Sequence, residues 1–102
     1  MKTFESQFLG AGSLVLETVF WPAEYFDQPV AALAGIFAAK EAACKALSLP
    51  PGHWLDLCVE RAPSGEPRMI MMKDLPEVES IRVSITHAGD YALAFVVVQT
   101  RC

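Results

Sequence analysis

Val30-Ala-Ala-Leu-Ala-Gly-Ile-Phe-Ala-Ala-Lys-Glu-Ala-Ala-Cys-Lys-Ala-Leu47 is the stretch around which the rest of the chain must be arranged. Pro29 can open a helix, because a proline there forfeits no intrahelical bond, and Ser48-Leu-Pro-Pro-Gly52 closes it. In between, Ala, Leu, Ile and Phe fall on all sides, which predicts a helix covered nearly all round. Lys40, Glu41 and Lys45 interrupt that apolar surface. At about 100° per residue, Glu41 and Lys45 lie about 40° apart and one turn from each other, while Lys40 lies about 100° to the other side of Glu41. Two readings fit this pattern. Either the pair is a solvent-facing i,i+4 contact worth about 0.2–0.5 kcal/mol, or it is a narrow polar stripe through which a covered helix presents charge to a site.

Outward from the helix, the C-terminal half reads as β structure. Trp54-Leu-Asp-Leu-Cys-Val-Glu-Arg61 alternates, with Trp54, Asp56, Cys58 and Glu60 on one side and Leu55, Leu57, Val59 and Arg61 on the other. Ala62-Pro-Ser-Gly-Glu-Pro67 is a turn cluster, and Arg68–Met72 returns as the partner strand. Lys73–Ser80, with Pro76 and its acids, reads as a loop or at most a short helix. Ile81–Thr86 is the third strand, His87-Ala-Gly-Asp90 a tight turn, and Tyr91–Thr100 a long central strand. On the N-terminal side, Trp21-Pro-Ala-Glu24 suits a helix start, and Ser13–Phe20 has the β-branched residues and partial alternation of a strand. Met1–Gly12 is irregular. The order predicts an α+β fold in which an antiparallel sheet packs against one long buried helix.

The chain has 102 residues, 53% of them apolar and 20% charged, which fits one apolar-rich domain over residues 1–102 and excludes disorder. So small a body cannot hide that much apolar surface, so part of it is expected to face another subunit. The net charge of −4 and the scattering of basic residues from Lys2 to Arg101 argue against nucleic acid as a partner. No run approaches the ~18–20 apolar residues of a membrane span, and Glu5 and Gln7 interrupt the place of a secretory signal. Cys44, Cys58 and Cys102 are odd in number and show no metal-ligand spacing, which fits a reducing, cytoplasmic setting.

A second polar cluster falls on Val83-Ser-Ile-Thr-His-Ala-Gly-Asp-Tyr91. Ser84, Thr86 and His87 offer donors for an anion at the end of the sheet, although a histidine beside a Gly-Asp turn also serves as a plain turn residue.

Taken in order, these segments resemble the 4′-phosphopantetheinyl transferases. Phe37-Ala-Ala-Lys-Glu-Ala-Ala-Cys-Lys-Ala-Leu47 resembles the family's FxxKEAxxKA helix, and Val83–His87 followed by Tyr91–Val97 resembles its final hairpin. Ser64-Gly-Glu-Pro67 resembles its SG[RK]P turn, and Phe20-Trp-Pro-Ala-Glu24 the F-T-x-x-E segment ahead of the helix. The small single-domain branch, the holo-acyl-carrier-protein synthases, is most similar, and the likeness runs roughly from Val19 to Val98.

The resemblance implies the family's fold and transfer of the phosphopantetheine arm of coenzyme A to a serine of an acyl carrier protein. It also implies Mg²⁺ as cofactor and a homo-oligomer, with a trimer favoured. By matched position, Glu41 would be the metal ligand or help activate the serine, Lys45 would neutralise the pyrophosphate, and Lys40 would assist it. Ser84, Thr86 and His87 would hold coenzyme A phosphates. The family's opening Gly-Ile-Asp strand has its counterpart over Gly10–Glu17, which holds no aspartate, and the helix that should follow is nearly absent. The chain therefore reads as shortened at its front end. Ile36 stands where an arginine commonly precedes the Phe, and Thr86 where the family has a second serine. Two readings stay open: an active or weakly active transferase, or a catalytically degenerate relative that binds coenzyme A, a nucleotide or a partner subunit.

Overall fold

The computed structural model of the chain describes residues 18–26, 28–50 and 52–101. Helix α1 is a single turn, Pro22–Tyr25, and α2 is Val30–Ala46. A 3₁₀ turn at Trp54–Asp56 leads into β1 (Leu57–Arg61), followed by β2 (Pro67–Met71), β3 (Val78–Ala88) and β4 (Tyr91–Thr100). β1 pairs antiparallel with β2, and β3 with β4. The expected α+β class is observed.

Alanine-rich composition carries α2 through its length, and Pro29 opens it by accepting from Ala32 N and Leu33 N. Its end is a Schellman turn. Ser48 takes the left-handed backbone at φ 56° that glycine usually fills. Leu49 N donates to Cys44 O at 2.9 Å and Ser48 N to Lys45 O at 3.2 Å. This turn sends the chain back along the last two turns of the helix, which brings Trp54 to the side of α2 that bears Glu41.

One side of α2, including Leu33, Ile36, Ala39 and Ala43, is buried. It packs on the inner face of β3–β4, formed by Ile81, Val83, Ile85, Ala92, Ala94 and Val96, and reaches Leu57, Val59 and Met69 of the first hairpin. Burying side chains of this size contributes roughly 1.5–3 kcal/mol each, so the apolar residues of α2 fix its rotation. Ala31, Lys45 and Ala46 remain exposed.

The elements differ from expectation in five places, one being Val78–Ser80, expected outside any strand but paired with Thr100 and Gln99 as the start of β3. The strand expected over Ser13–Phe20 lies outside the described residues as far as Glu17, and Thr18 and Val19 near its end are helical. Burial of Val19 and Phe20, both 1% exposed, outweighs their β-propensity. Trp54–Asp56 leaves the strand pattern because Trp54 turns to α2, so β1 starts at Leu57. His87 and Ala88 stay in the β3 ladder, opposite Ala92 and Tyr91, which shrinks the turn to Gly89-Asp90. Gly89 supplies the positive φ, 59°, that such a two-residue hairpin needs. Among the described residues β4 pairs with β3 alone, so it stands at an edge there rather than at the centre expected of it.

Candidate active site

Phe37, Glu41, Cys44 and Lys45 succeed one another at i+3 and i+4 spacing on α2, so they share one side of the helix. The chain returning from the Schellman turn faces them. Between the two runs a cleft of about 230 Å³, lined by Glu41, Cys44, Lys45, Leu49, Pro50, Gly52 and Trp54. Glu41 is half-buried and Lys45 exposed. Among the described residues the two make no ion pair with each other or with any other group. The i,i+4 salt bridge is therefore not how this helix uses them. Both charges open on the cleft.

Glu41 is held from one side. The indole N–H of Trp54 donates to Glu41 Oε1. The Trp54 ring leans on Phe37, centroids 6.1 Å apart and planes at 43°. Glu41 Oε2 meets no protein donor among the described residues. Burial pushes the Cys44 thiol above the ordinary cysteine range, and the negative charges of Glu41 and then Asp56 push it further in the same direction.

Lys40 is placed elsewhere. It points into the interior, 0% exposed, where Nζ donates to Glu24 Oε1 at 2.5 Å and to Val19 O at 2.8 Å. The Phe20 ring lies 5.6 Å from the ammonium. Glu24 is satisfied in turn: Oε1 also accepts from Trp21 N at 2.7 Å and Oε2 from Val59 N at 2.7 Å. Burial pulls the Lys40 pKa below the ordinary lysine value, and Glu24 opposes that pull. The 100° step from Glu41 puts Lys40 on the core side of α2, so the structure does not bring it to the cleft with Lys45. The buried role of Glu24 was legible only as an acid near a helix start.

The hairpin residues are likewise divided. Along β3 the side chains alternate, so Ser84 and Thr86 share the outer face with Arg82, opposite Phe95, Leu93 and Val97 of β4. His87 lies on the inner face with Ile85, and its ring packs over Gly35 of α2. Within one chain, Ser84 and Thr86 therefore do not form a single cradle with His87. In the turn resembling SG[RK]P, the Ser64 hydroxyl donates to Glu66, which holds that exposed carboxyl below its ordinary range.

A hard divalent cation takes oxygen ligands. Glu41 Oε2 supplies one, but no cluster of three or more His, Cys, Asp or Glu placed to hold a metal occurs among the described residues. Mg²⁺ commonly binds through one or two carboxylates completed by substrate phosphates and water, and Glu41 fits that mode. The segment Gly10–Glu17, where the family carries its aspartate, lies outside the described residues.

A helix laid on two antiparallel hairpins, with a carboxylate and a lysine one turn apart on an open cleft, makes this a small α+β domain with a charged recess. The family model of the 4′-phosphopantetheinyl transferase superfamily matches residues 2–96, and the chain belongs to that superfamily. The holo-acyl-carrier-protein synthase of Moorella thermoacetica is 36% identical over 99 residues, covering 84% of this chain and 77% of that protein. The corresponding synthase of Anaeromyxobacter dehalogenans is 38% identical over 96 residues, covering 82% of this chain and 74% of that protein. Among solved structures, Helicobacter pylori holo-acyl-carrier-protein synthase in complex with coenzyme A matches with TM-score 0.86 and 28% identity, over 96% of this chain and 92% of that one.

Proposed function

We propose that this chain transfers the 4′-phosphopantetheine arm of coenzyme A to a serine hydroxyl of an acyl carrier protein. The observation that carries the reading is the Glu41–Lys45 cleft: two charged residues of the superfamily's signature helix open together on one apolar recess, unpaired with each other. In the reaction the serine oxygen attacks the phosphorus that bears the pantetheine arm. The bond from that phosphorus to the bridging oxygen breaks, and adenosine 3′,5′-bisphosphate leaves with the electron pair. Glu41 would hold Mg²⁺ or take the serine proton, and Lys45 would offset phosphate charge. His87, on the inner face at the hairpin end, serves the coenzyme A phosphates. Ser84 and Thr86 would act from the outer face, and Lys40 acts through the core rather than by touching substrate. Mg²⁺ held by Glu41 would supply charge neutralisation on the pyrophosphate.

The same reading takes the chain to be a cytoplasmic homo-oligomer, a trimer by family resemblance. Support comes from the outer face of β4, where Tyr91, Leu93, Phe95 and Val97 are 74%, 51%, 70% and 66% exposed. Such a row of apolar side chains on one sheet face suits a covered interface. Cys44 and Cys58 are free thiols, in keeping with a reducing compartment. No helix among the described residues is long and apolar enough to cross a membrane.

The test is incubation with coenzyme A, Mg²⁺ and apo acyl carrier protein, read by the mass of the carrier. A mass gain equal to the phosphopantetheinyl group supports the transferase. Calorimetric binding of coenzyme A with no mass gain on any carrier supports the degenerate binding protein instead.

A further inference from the structure

Trp54 contributes an uncharged hydrogen-bond donor to the one carboxylate in the cleft. We infer that Trp54 is a positioning residue: its indole N–H pins Glu41 Oε1 so that Oε2 faces the cleft. This rests on the reading of Glu41 as the acting carboxylate.

Three observations meet at this contact. First, the donor is an indole N–H, which cannot take up or release a proton near neutrality and brings no positive charge. Lys45, the nearest cation on the same side of the helix, makes no ion pair with Glu41. A carboxylate that must take a proton or face a cation is thus oriented without being neutralised. Second, Trp54 is itself fixed. It starts the 3₁₀ turn Trp54–Asp56 and leans on Phe37, the residue one helical turn before Glu41. Phe37 and Glu41 therefore grip the body and the N–H of one side chain. Third, Trp54 and Glu41 both line the cleft, so the bond between them is part of its wall. A carboxylate on a helix otherwise rotates about its last torsion, and holding one oxygen removes that freedom before substrate arrives.

The experiment uses the full chain, with Trp54→Phe as the principal variant, since it keeps a ring against Phe37 and removes only the donor. Losing a partner that orients an acting carboxylate typically costs 10–100-fold. We expect kcat to fall by about 10-fold or more, the KM for coenzyme A to stay at the wild-type value, and the thermal midpoint to be retained. The second measurement is the ¹H–¹⁵N spectrum of the wild-type indoles, where Trp21 and Trp54 each give one N–H peak. Glu41→Gln should move the Trp54 peak upfield and leave that of Trp21, whose N–H donates to Leu55 O and Leu57 O, in place. An unmoved Trp54 peak, or a Trp54→Phe enzyme with wild-type kcat, overturns the assignment. If the wild type transfers nothing to any carrier, the transferase reading has failed on its own. The inference is then decided by the indole peak alone, and an unmoved Trp54 peak in Glu41→Gln overturns it.

Discussion

Lys40 Nζ lies 2.5 Å from Glu24 Oε1, and both side chains are 0% exposed. The pair ties α1 to α2, and through Val19 O and Val59 N it also ties in the segment before α1 and strand β1. A buried pair of this kind adds little over a well-packed apolar pair, but removing one partner strands the other's charge, at about 3–5 kcal/mol. Lys40→Met should therefore lower the unfolding free energy by that order in a denaturant titration. Lys40→Met with Glu24→Gln should cost less than the sum of the single changes, because the neutral amide needs no cation. Strict additivity would mean that the two groups do not act as a pair.

At the cleft, Glu41→Gln and Lys45→Met should part in size. Glu41 is half-buried and held by Trp54, and loss of a positioned base costs about 10²–10⁴-fold in kcat. Lys45 is exposed, so water screens its charge, and a contact at such dielectric is worth about 1 kcal/mol. That translates into a loss of roughly 10-fold or less. Steady-state kinetics with coenzyme A and apo carrier checks the order. Wild-type turnover by Glu41→Gln would remove Glu41 from the reaction.

The spacing of residues on α2 made much of this legible in the sequence. The 100° steps put Glu41 and Lys45 on one side, and the cleft opens there. The same arithmetic already separated Lys40 from them, and its place in the core is the physical consequence. Alternation along Ser84-Ile-Thr-His87 likewise contained the division of the hairpin residues, although their nearness in sequence suggests one cradle. Trp54 was the hard case. Local alternation set it on a strand with Asp56 and Cys58, whereas a contact 13 residues back along the chain decides its conformation. Only the turn-reversing Ser48–Gly52 stretch hinted that the returning chain must pass the face of α2 bearing Glu41. Glu24 was equally opaque, because nothing local shows that a first-turn acid will be fully buried against a lysine 16 residues later.

The exposed row on β4 leads to a test of assembly. If Tyr91, Leu93, Phe95 and Val97 meet copies of themselves, wild-type protein at micromolar concentration should scatter light as a multiple of the chain mass. Phe95→Asp, placed on a side chain that is 70% exposed in the single chain, should return the mass of one chain without lowering its secondary structure. Wild-type protein that scatters as one chain would exclude the interface.

The cleft cysteine reports on the charge of its neighbour. Burial, then Glu41, then Asp56 raise the Cys44 thiol above the ordinary value of 9.0. The thiolate is the reactive form, so alkylation at pH 7–8 should be slower than for a free thiol and should still climb with pH where a free thiol has levelled off. Glu41→Gln removes one of the raising charges and should speed Cys44 in a Cys102→Ser background. Cys58, whose thiol is raised by burial and by Glu24, should keep its rate. Peptide mass mapping of the alkylated sites separates the two. Equal rates for Cys44 in the wild type and in Glu41→Gln would contradict the placement of that carboxylate.

Gly35 decides how closely the hairpin end approaches α2. A Cβ there would lie 2.8 Å from Ile85 Cγ2, 3.1 Å from His87 Cε1 and 3.2 Å from His87 Nε2. Two opposing effects follow from Gly35→Ala. Alanine gains up to about 1 kcal/mol in helix propensity, whereas overpacking a closed contact costs typically 1–3 kcal/mol. The first distance is shorter than real Cβ atoms show, so Ile85 must shift, and the packing cost should win by roughly 1 kcal/mol. The displaced atoms include two adjacent atoms of the His87 ring, Cε1 and Nε2, so the same change should raise the KM for coenzyme A if the histidine serves its phosphates. His87→Ala separates the two consequences. It relieves the contacts with the ring but not the one with Ile85, so Gly35→Ala in that background should recover only part of the stability, while the loss of coenzyme A affinity persists. Denaturant unfolding together with coenzyme A titration on the four proteins of this cycle reads both terms. A Gly35→Ala variant more stable than the wild type, with unchanged affinity, would show that the hairpin end gives way freely and that Gly35 does not position His87.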